Sequence, residues 1–329
     1  MIISFSHLAR LRFALAIMVF APVAMLPAAE REALKLLTIG NSFSDYPLSY
    51  LPDLAKAGGK TLVLGRANPG GYTLARHASY LAAALADPAD SKGRLYKNSP
   101  VFNLPGRDAV SLPEALAAQA WEIVTIHQAS FDSYKPETYH PAIDQIIAAI
   151  HKYAPQAEIV LQETWVYRDD NPAFHGKDPF TQQKMYEGIR ATYHQLAAAT
   201  GFRIIPTGDA MELARKTPRW TFVADPNFDF KNPPAGKLPV ESGSLWSGWS
   251  WSKPKTGEPK LSLDGKHPSA AGKYLAAVVW YQVMFDADAV PAGFVPKGLS
   301  AEDTADLRGY AAAAVKAERI RVMAPVGAK

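Results

Sequence analysis

Cysteine is absent from all 329 residues. No disulfide, thiolate nucleophile or thiolate metal site can therefore belong to this chain, and a chain of this length can bury a core without cross-links. Runs of lysine and arginine are also lacking. The formal net charge of +4 falls to +2 once residues 1–29 are set aside, because that segment holds Arg10 and Arg12 and no acid. Nothing here could track a phosphate backbone, which argues against a nucleic-acid partner. Histidines and carboxylates do not gather at metal-ligand spacings, so no metal site is expected. The Gly-x-Ser-x-Gly elbow of the α/β-hydrolases is missing as well: its nearest approach, Gly40-Asn41-Ser42-Phe43-Ser44, ends in serine. No internal repeat is present.

What is there begins with a targeting pattern. Arg10 and Arg12 precede an apolar stretch over residues 13–26, followed by Pro27-Ala28-Ala29. A basic start, an apolar centre and small residues describe a secretory signal peptide, expected to be cleaved near Ala28 or Ala29. The apolar stretch has 14 residues, short of the roughly 20 that span a bilayer. Pro27 makes the cleavage site imperfect, which leaves an uncleaved anchor as the alternative. The expectation is export to the periplasm or the exterior, with no stable membrane insertion once the signal is removed. The whole chain is 48% hydrophobic and 20% charged, as for an ordinary globular protein, and 30–329 reads as one domain.

Past the signal, strand and helix patterns alternate. Apolar runs at 34–39, 61–66, 122–127, 157–163 and 202–205 read as strands. Helical spacing marks 49–57, 74–86, 111–120, 140–153, 179–199, 268–285 and 300–320. Ser111-Leu112-Pro113-Glu114 is a capping-box sequence with proline just inside it. This rhythm predicts a single α/β domain, a parallel sheet of five strands between helical layers. The rhythm breaks at about 218–260, which is rich in proline and holds Trp220, Trp246, Trp249 and Trp251. Such a length without regular structure is read as either a functional lid or a poorly ordered insert.

Two short motifs carry the chemistry. Ser42 follows the first strand, at the carboxyl end where open α/β sheets place ligand sites. A serine there is ordinarily a cap or turn residue. Asp264 and His267 stand three residues apart in Asp264-Gly265-Lys266-His267-Pro268-Ser269. A hydroxyl nucleophile needs a base, and the base needs a carboxylate to set its tautomer. With Pro268 read as the first helical residue, His267 is expected at the cap of the next helix.

Gly40-Asn41-Ser42-Phe43-Ser44 and Asp264-x-x-His267-Pro268-Ser269 together resemble the first and last blocks of the SGNH (GDSL-type) hydrolases. Asn68-Pro69-Gly70-Gly71-Tyr72-Thr73 is similar to the second block. The resemblance extends over roughly residues 34–290 and points to a poorly characterised bacterial branch whose first block reads Ile-Gly-Asn-Ser-Phe-Ser. It implies a flavodoxin-like three-layer sandwich with strand order 2-1-3-4-5, no cofactor, and ester hydrolysis through an acyl-enzyme. It also implies an oxyanion hole made by the backbone N–H groups of Ser42 and Gly71. Two departures stand out. Asn41 replaces the family's usual aspartate. The third block lacks its asparagine, and Gln128 in Thr125-Ile126-His127-Gln128-Ala129-Ser130 is the expected substitute, since its amide is also a donor.

Further residues could line a substrate cleft. Asn41, His77 and His127 lie beside the motifs, although each could equally pack in the core or on a helix. Trp165 follows the fourth strand and would point to the same edge. Trp246, Trp249 and Trp251 offer flat faces suited to sugar rings, acyl chains or aromatic esters, or could simply hold a long loop together. The favoured expectation is an exported serine esterase acting on a small-molecule or oligosaccharide ester, with O-acetyl removal from a carbohydrate foremost. Two alternatives stay open: a lipid or aryl-ester hydrolase with the tryptophan segment as lid, and a non-catalytic carbohydrate-binding protein retaining the fold.

Overall fold

Strand and helix alternate as expected in the computed structural model, which describes residues 33–323 apart from 177–179 and 255. The signal peptide expected over residues 1–29 lies outside the described residues. In chain order the first half runs β1 (Leu34–Ile39), α1 (Ser42–Asp45), α2 (Leu51–Ala57), β2 (Leu62–Ala67), α3 (Leu74–Ala86), β3 (Tyr96–Lys97), β4 (Ala109–Val110), α4 (Leu112–Ala117), β5 (Ile123–Ile126) and α5 (Ala142–Tyr153). The second half runs β6 (Glu158–Gln162), α6 (Gln182–Thr200), β7 (Arg203–Ile205), α7 (Thr207–Arg215), β8 (Trp249–Trp251), β9 (Leu261–Leu263), α8 (Ala270–Met284) and α9 (Ala301–Met323). Among the described residues no helix is long and apolar enough to cross a membrane.

Five strands form one parallel sheet in the order β2-β1-β5-β6-β7, which is 2-1-3-4-5 counted within the sheet. The central strand β5 is buried at every position. A strand covered on both faces reads as a continuous apolar run, and Ile123-Val124-Thr125-Ile126 does. The order reverses between β1 and β5. Right-handed crossovers then put α2 on one face and α3 to α5 on the other. Packing agrees: α3, α4 and α5 touch one another, while α2, α7 and α9 gather on α8. Helix α8 is buried almost all round, from Ala271 to Met284, because it lies between the sheet and α9. A helix so placed needs no polar face.

Local chemistry sets the element ends. The Ser111–Glu114 capping box is formed in full at α4. Thr73 Oγ1 accepts the Arg76 N–H at 3.2 Å to start α3, and Gly201, at φ 75°, closes α6 in the left-handed conformation. Two helices are absent from the sequence reading, the four-residue α1 and α7.

The segment 218–260 is fastened at several points. Val223 pairs with Ser242 and Trp246 with Pro268 in antiparallel bridges. β8 and β9 form an antiparallel hairpin with Trp249 opposite Leu263. Trp220 Nε1 donates to Asp306 Oδ2 of α9 at 2.7 Å. It is a strap laid along the domain, and its last strand runs straight into Asp264.

Candidate active site

Ser42 sits where β1 ends, half-buried at the first residue of α1. The backbone turns sharply just before it. A Cβ on Gly40 would lie 1.9 Å from His127 Cε1, so the turn tolerates no side chain there. Asn41 caps α1, its Oδ1 accepting the Phe43 N–H at 3.1 Å. Its Nδ2 donates to the Tyr72 carbonyl at 3.0 Å. That second bond pins the 69–72 loop, and Gly71 with it, against the serine turn. Gly71 adopts φ 71°, a conformation glycine enters without penalty.

The structure brings the other end of the chain to the same place. Ser42 Oγ lies 3.2 Å from His267 Nε2, across 225 residues of sequence. His267 Nδ1 lies 2.9 Å from Asp264 Oδ2, and the His267 backbone N–H donates to Asp264 Oδ1 at 3.1 Å. One carboxylate thus grips both the ring and the backbone of the histidine. The arrangement places the proton on Nδ1 and leaves Nε2 to accept from the serine hydroxyl. Burial pushes the Asp264 carboxyl up, but the bonds from His267 outweigh it and hold it below the ordinary carboxylate value. The His267 and Asp264 side chains are 22% and 30% exposed, so the group is reachable from solvent.

The histidine loop is held mainly by backbone. Asp264 N–H donates to Gly248 O at 3.2 Å, Gly265 N–H to Ser247 O at 3.0 Å, Ser247 N–H to His267 O at 2.7 Å and Ser269 N–H to Leu245 O at 2.9 Å. From the sheet edge, Arg168 N–H donates to Gly265 O at 2.6 Å. The cap of α8 is Ser269, whose Oγ accepts the Gly272 N–H. His267 therefore precedes the cap by two residues, and Pro268 lies outside the helix instead of opening it.

Most of the residues expected to line a cleft do something else. Gln128 is 1% exposed and its amide is fully used. Oε1 accepts from Leu74 N and Ala129 N, both at 2.9 Å, and Nε2 donates to Thr138 O at 3.0 Å and Thr138 Oγ1 at 3.2 Å. No N–H remains for an oxyanion, so Gln128 is a loop staple and not the missing third donor. Asn41, 2% exposed, is spent on the cap and the Tyr72 bond and lines no cleft.

His77 is a core residue. Its ring lies 2.8 Å from Gly40 O through Nε2 and 2.7 Å from Tyr96 Oη through Nδ1. Burial drives its pKa down to about 4 despite the Gly40 bond. His127 is 1% exposed and lies under Gly40; its Nδ1 is 3.2 Å from Ser44 Oγ, which itself donates to Gln162 Oε1 at 2.7 Å. Burial, helped by His77, lowers its pKa to about 3. Both histidines are neutral packing under the Ser42 turn, closed off from solvent.

Trp165 is fully buried. Its ring stacks on Phe43 at 4.3 Å, and its Nε1 donates to Lys266 O at 3.0 Å. It braces the residue after Ser42 against the residue before His267. Trp246 is 2% exposed, with Nε1 donating to Val166 O at 2.8 Å. Neither offers a face to substrate. Trp249 and Trp251 remain half-buried on β8. Trp249 packs 4.9 Å from Phe230, and Trp251 Nε1 donates to Lys237 O at 2.7 Å.

Two structural residues escaped the sequence reading. Tyr46 lies with its ring 4.9 Å from that of His267. Arg168, fully buried, forks onto Asp170 through Nε and Nη2 at 2.7 and 2.8 Å and onto Glu241 through Nη1 and Nη2 at 2.7 and 2.8 Å. Its guanidinium also lies 4.0 Å over Phe222, so the strap is tied to the sheet edge from which Arg168 holds Gly265. In sequence, Tyr167-Arg168-Asp169-Asp170 looks like an exposed charged turn, and nothing in it marks a buried ion network.

No curated protein sequence matches the chain. A 1.50 Å crystal structure of a DUF4886 family protein from Bacteroides uniformis ATCC 8492 overlays with a TM-score of 0.62 at 21% identity, covering 87% of this chain and 95% of that one. A protein of Slackia heliotrinireducens, described as a candidate SGNH hydrolase, gives 0.45 at 22% identity over 77% of this chain and 99% of that one. Phospholipase A1 from Streptomyces albidoflavus NA297 gives 0.39 at 13% identity over 77% and 99%. The last two overlays are too loose to support an argument. The first shows a shared fold. Residues 35–228, more than half of the chain, match the family described as Domain of unknown function (DUF4886), and to that family this chain belongs.

Proposed function

We propose that the protein is an exported serine hydrolase that cleaves carboxylic esters through an acyl-enzyme. The observation that carries this reading is the continuous hydrogen-bond sequence from Ser42 Oγ to His267 Nε2 and from His267 Nδ1 to Asp264. A hydroxyl, an imidazole and a carboxylate in that order make a nucleophile, its general base and the group that orients the base.

Ser42 Oγ attacks the ester carbonyl carbon while its proton passes to His267 Nε2. The imidazolium keeps its Nδ1 proton on Asp264, whose charge stabilises it. The tetrahedral oxyanion meets the backbone N–H groups of Ser42 and Gly71, neither of which has an acceptor among the described residues. As the C–O bond to the alcohol breaks, His267 returns its proton to the departing oxygen, leaving an acyl-serine. A water molecule, deprotonated by the same Nε2, then attacks the acyl carbon and releases the acid. With Gln128 consumed by its loop, the hole rests on backbone donors, each worth on the order of 3 kcal/mol in related enzymes.

Export rests on Arg10, Arg12 and the apolar stretch over 13–26. Removal of small acyl groups such as acetyl from a carbohydrate remains the favoured substrate reading. Its support from aromatic residues narrows to Trp249 and Trp251, because Trp165 and Trp246 are structural. A fluorophosphonate probe tests the mechanism: it should label the wild-type chain on Ser42 and leave Ser42→Ala unlabelled. Absence of label on folded wild-type protein would favour a non-catalytic binding role. Rates on acetylated oligosaccharides, short-chain and long-chain esters then choose among the substrates.

A further inference from the structure

Tyr46 lies beside His267 and Tyr72 is bonded to the Ser42 turn, and each carries a cation over its ring. On the base side, Tyr46 meets the His267 ring, and Lys273 Nζ lies 5.2 Å above the Tyr46 ring. On the oxyanion side, Tyr72 follows Gly71 and is tied by its carbonyl to Asn41, and the Arg76 guanidinium lies 4.1 Å over its ring. Lys266, exposed, stands between Asp264 and His267. None of these three cations forms an ion pair with a described residue.

The carboxylates belonging to the two catalytic turns are already engaged. Asp45 accepts from Asn68 Nδ2 at 3.0 Å and faces Arg66 at 3.9 Å, and Asp264 is taken by His267. Set against Asp45 and Asp264, whose charges both reach Tyr46, the four cations Arg66, Lys266, Arg76 and Lys273 leave the rim with a net positive charge. A cation resting on an aromatic face is attracted by the negative face of the ring, so it is partly pre-positioned for a ligand. Arginine offers a planar fork suited to carboxylate or sulfate, and lysine a point charge.

We infer that the esters processed here carry a negative charge close to the scissile bond, with Arg76 and Lys273 as the residues that select them. This rests on the ester-hydrolase reading and deepens it: the substrate is an anionic ester, with a carboxylate or comparable oxyanion on the part that flanks the reacting carbonyl. No step of the chemistry changes. The charge acts on capture and orientation, where a net positive field raises encounter and binding of an anion.

The experiment compares 4-acetoxybenzoate, which is anionic, with the neutral amide 4-acetoxybenzamide. In wild-type protein at low salt, kcat/KM should favour the anion by about tenfold, within the range that electrostatic steering gives. The ratio should fall toward one in about 0.5 M sodium chloride, where the screening length drops to a few ångströms. It should also fall toward one in the Arg76→Gln, Lys273→Gln double variant, with circular-dichroism melting to check the fold. Equal rates on both probes in wild-type protein would overturn the inference while leaving the esterase reading intact, as would a preference that ignores salt. Failure to turn over either probe, together with no fluorophosphonate label on Ser42, would overturn both. The salt series needs no variant, so the test survives a substitution that misfolds.

Discussion

The nucleophile turn and the histidine loop reach the same spot by different means. Ser42 stands on a turn set into the sheet, with His127 filling the space under Gly40 and His77 bonded to the Gly40 carbonyl. His267 stands on a loop held from outside the sheet, by backbone bonds to 245–248, by Arg168 at Gly265 and by Trp165 at Lys266. The first is positioned by packing, which leaves little freedom because close-packed interiors yield poorly. The second is positioned by a strap whose anchors are polar. Perturbing the turn should therefore cost stability, whereas perturbing the strap should cost catalysis as well as stability.

The largest effect expected is on the serine itself. Ser42→Ala should lower hydrolysis of p-nitrophenyl acetate by at least about 10³-fold, as loss of a catalytic nucleophile does, with an unchanged melting curve. Wild-type-like turnover would refute the mechanism.

Next comes the clamp between strap and loop. Arg168→Met leaves Asp170 and Glu241 without their partner, and breaking a buried pair costs about 3–5 kcal/mol. Because those carboxylates are 28% and 14% exposed, the lower end is expected in denaturant melts. Turnover should fall further than the melt alone explains, through displacement of His267. A stability loss with kcat intact would mean the loop is positioned without the clamp.

The turn is probed by acid. His77 and His127 are neutral in the fold, with pKa values of about 4 and about 3, against roughly 6.5 when unfolded. Below pH 6.5 the unfolded chain takes up protons that the folded chain refuses, so stability is full above that pH and is lost as pH falls. The loss should run on to about pH 4 for His77 and pH 3 for His127. By pH 5 each contributes a loss of about 2 kcal/mol. Melts at pH 7 and pH 5 check this, and His77→Gln should remove a large part of the difference. An unchanged acid response in that variant would place the sensitivity elsewhere.

The smallest effect falls on the brace joining the two regions. Trp165→Phe keeps an aromatic ring against Phe43 and removes the Nε1–H bond to Lys266 O, worth about 1 kcal/mol. A several-fold drop in kcat with KM nearly constant is expected, and an equal change in both would separate the brace from the base.

The main sheet was legible in sequence because each of its five strands is a short apolar run, and periodicity marked most of the helices. Helix α7 was not: its buried face includes Thr207, Gly208 and Glu212, so its pattern is not that of an apolar stripe. Ser42, Asp264 and His267, which the structure brings together, stood out as residue types because the roles proposed for them require those side chains. Gln128 was misplaced for the converse reason, since composition names a donor without saying where it points. His77, His127 and Trp165 carry functional-looking side chains, and only burial separates a core histidine from a ligand-facing one. Arg168 was invisible because an ion network between 168 and 241 has no local signature.

The 225 residues between Ser42 and His267 also bear on timing. A ribosome delivers the nucleophile early and the base late, and the strap that seats the base lies just ahead of it. Until that late segment has docked, the serine is an ordinary alcohol. Under the esterase reading proposed above, the chain is inert while it is being made, and hydrolysis of an ester reports that the whole domain has closed.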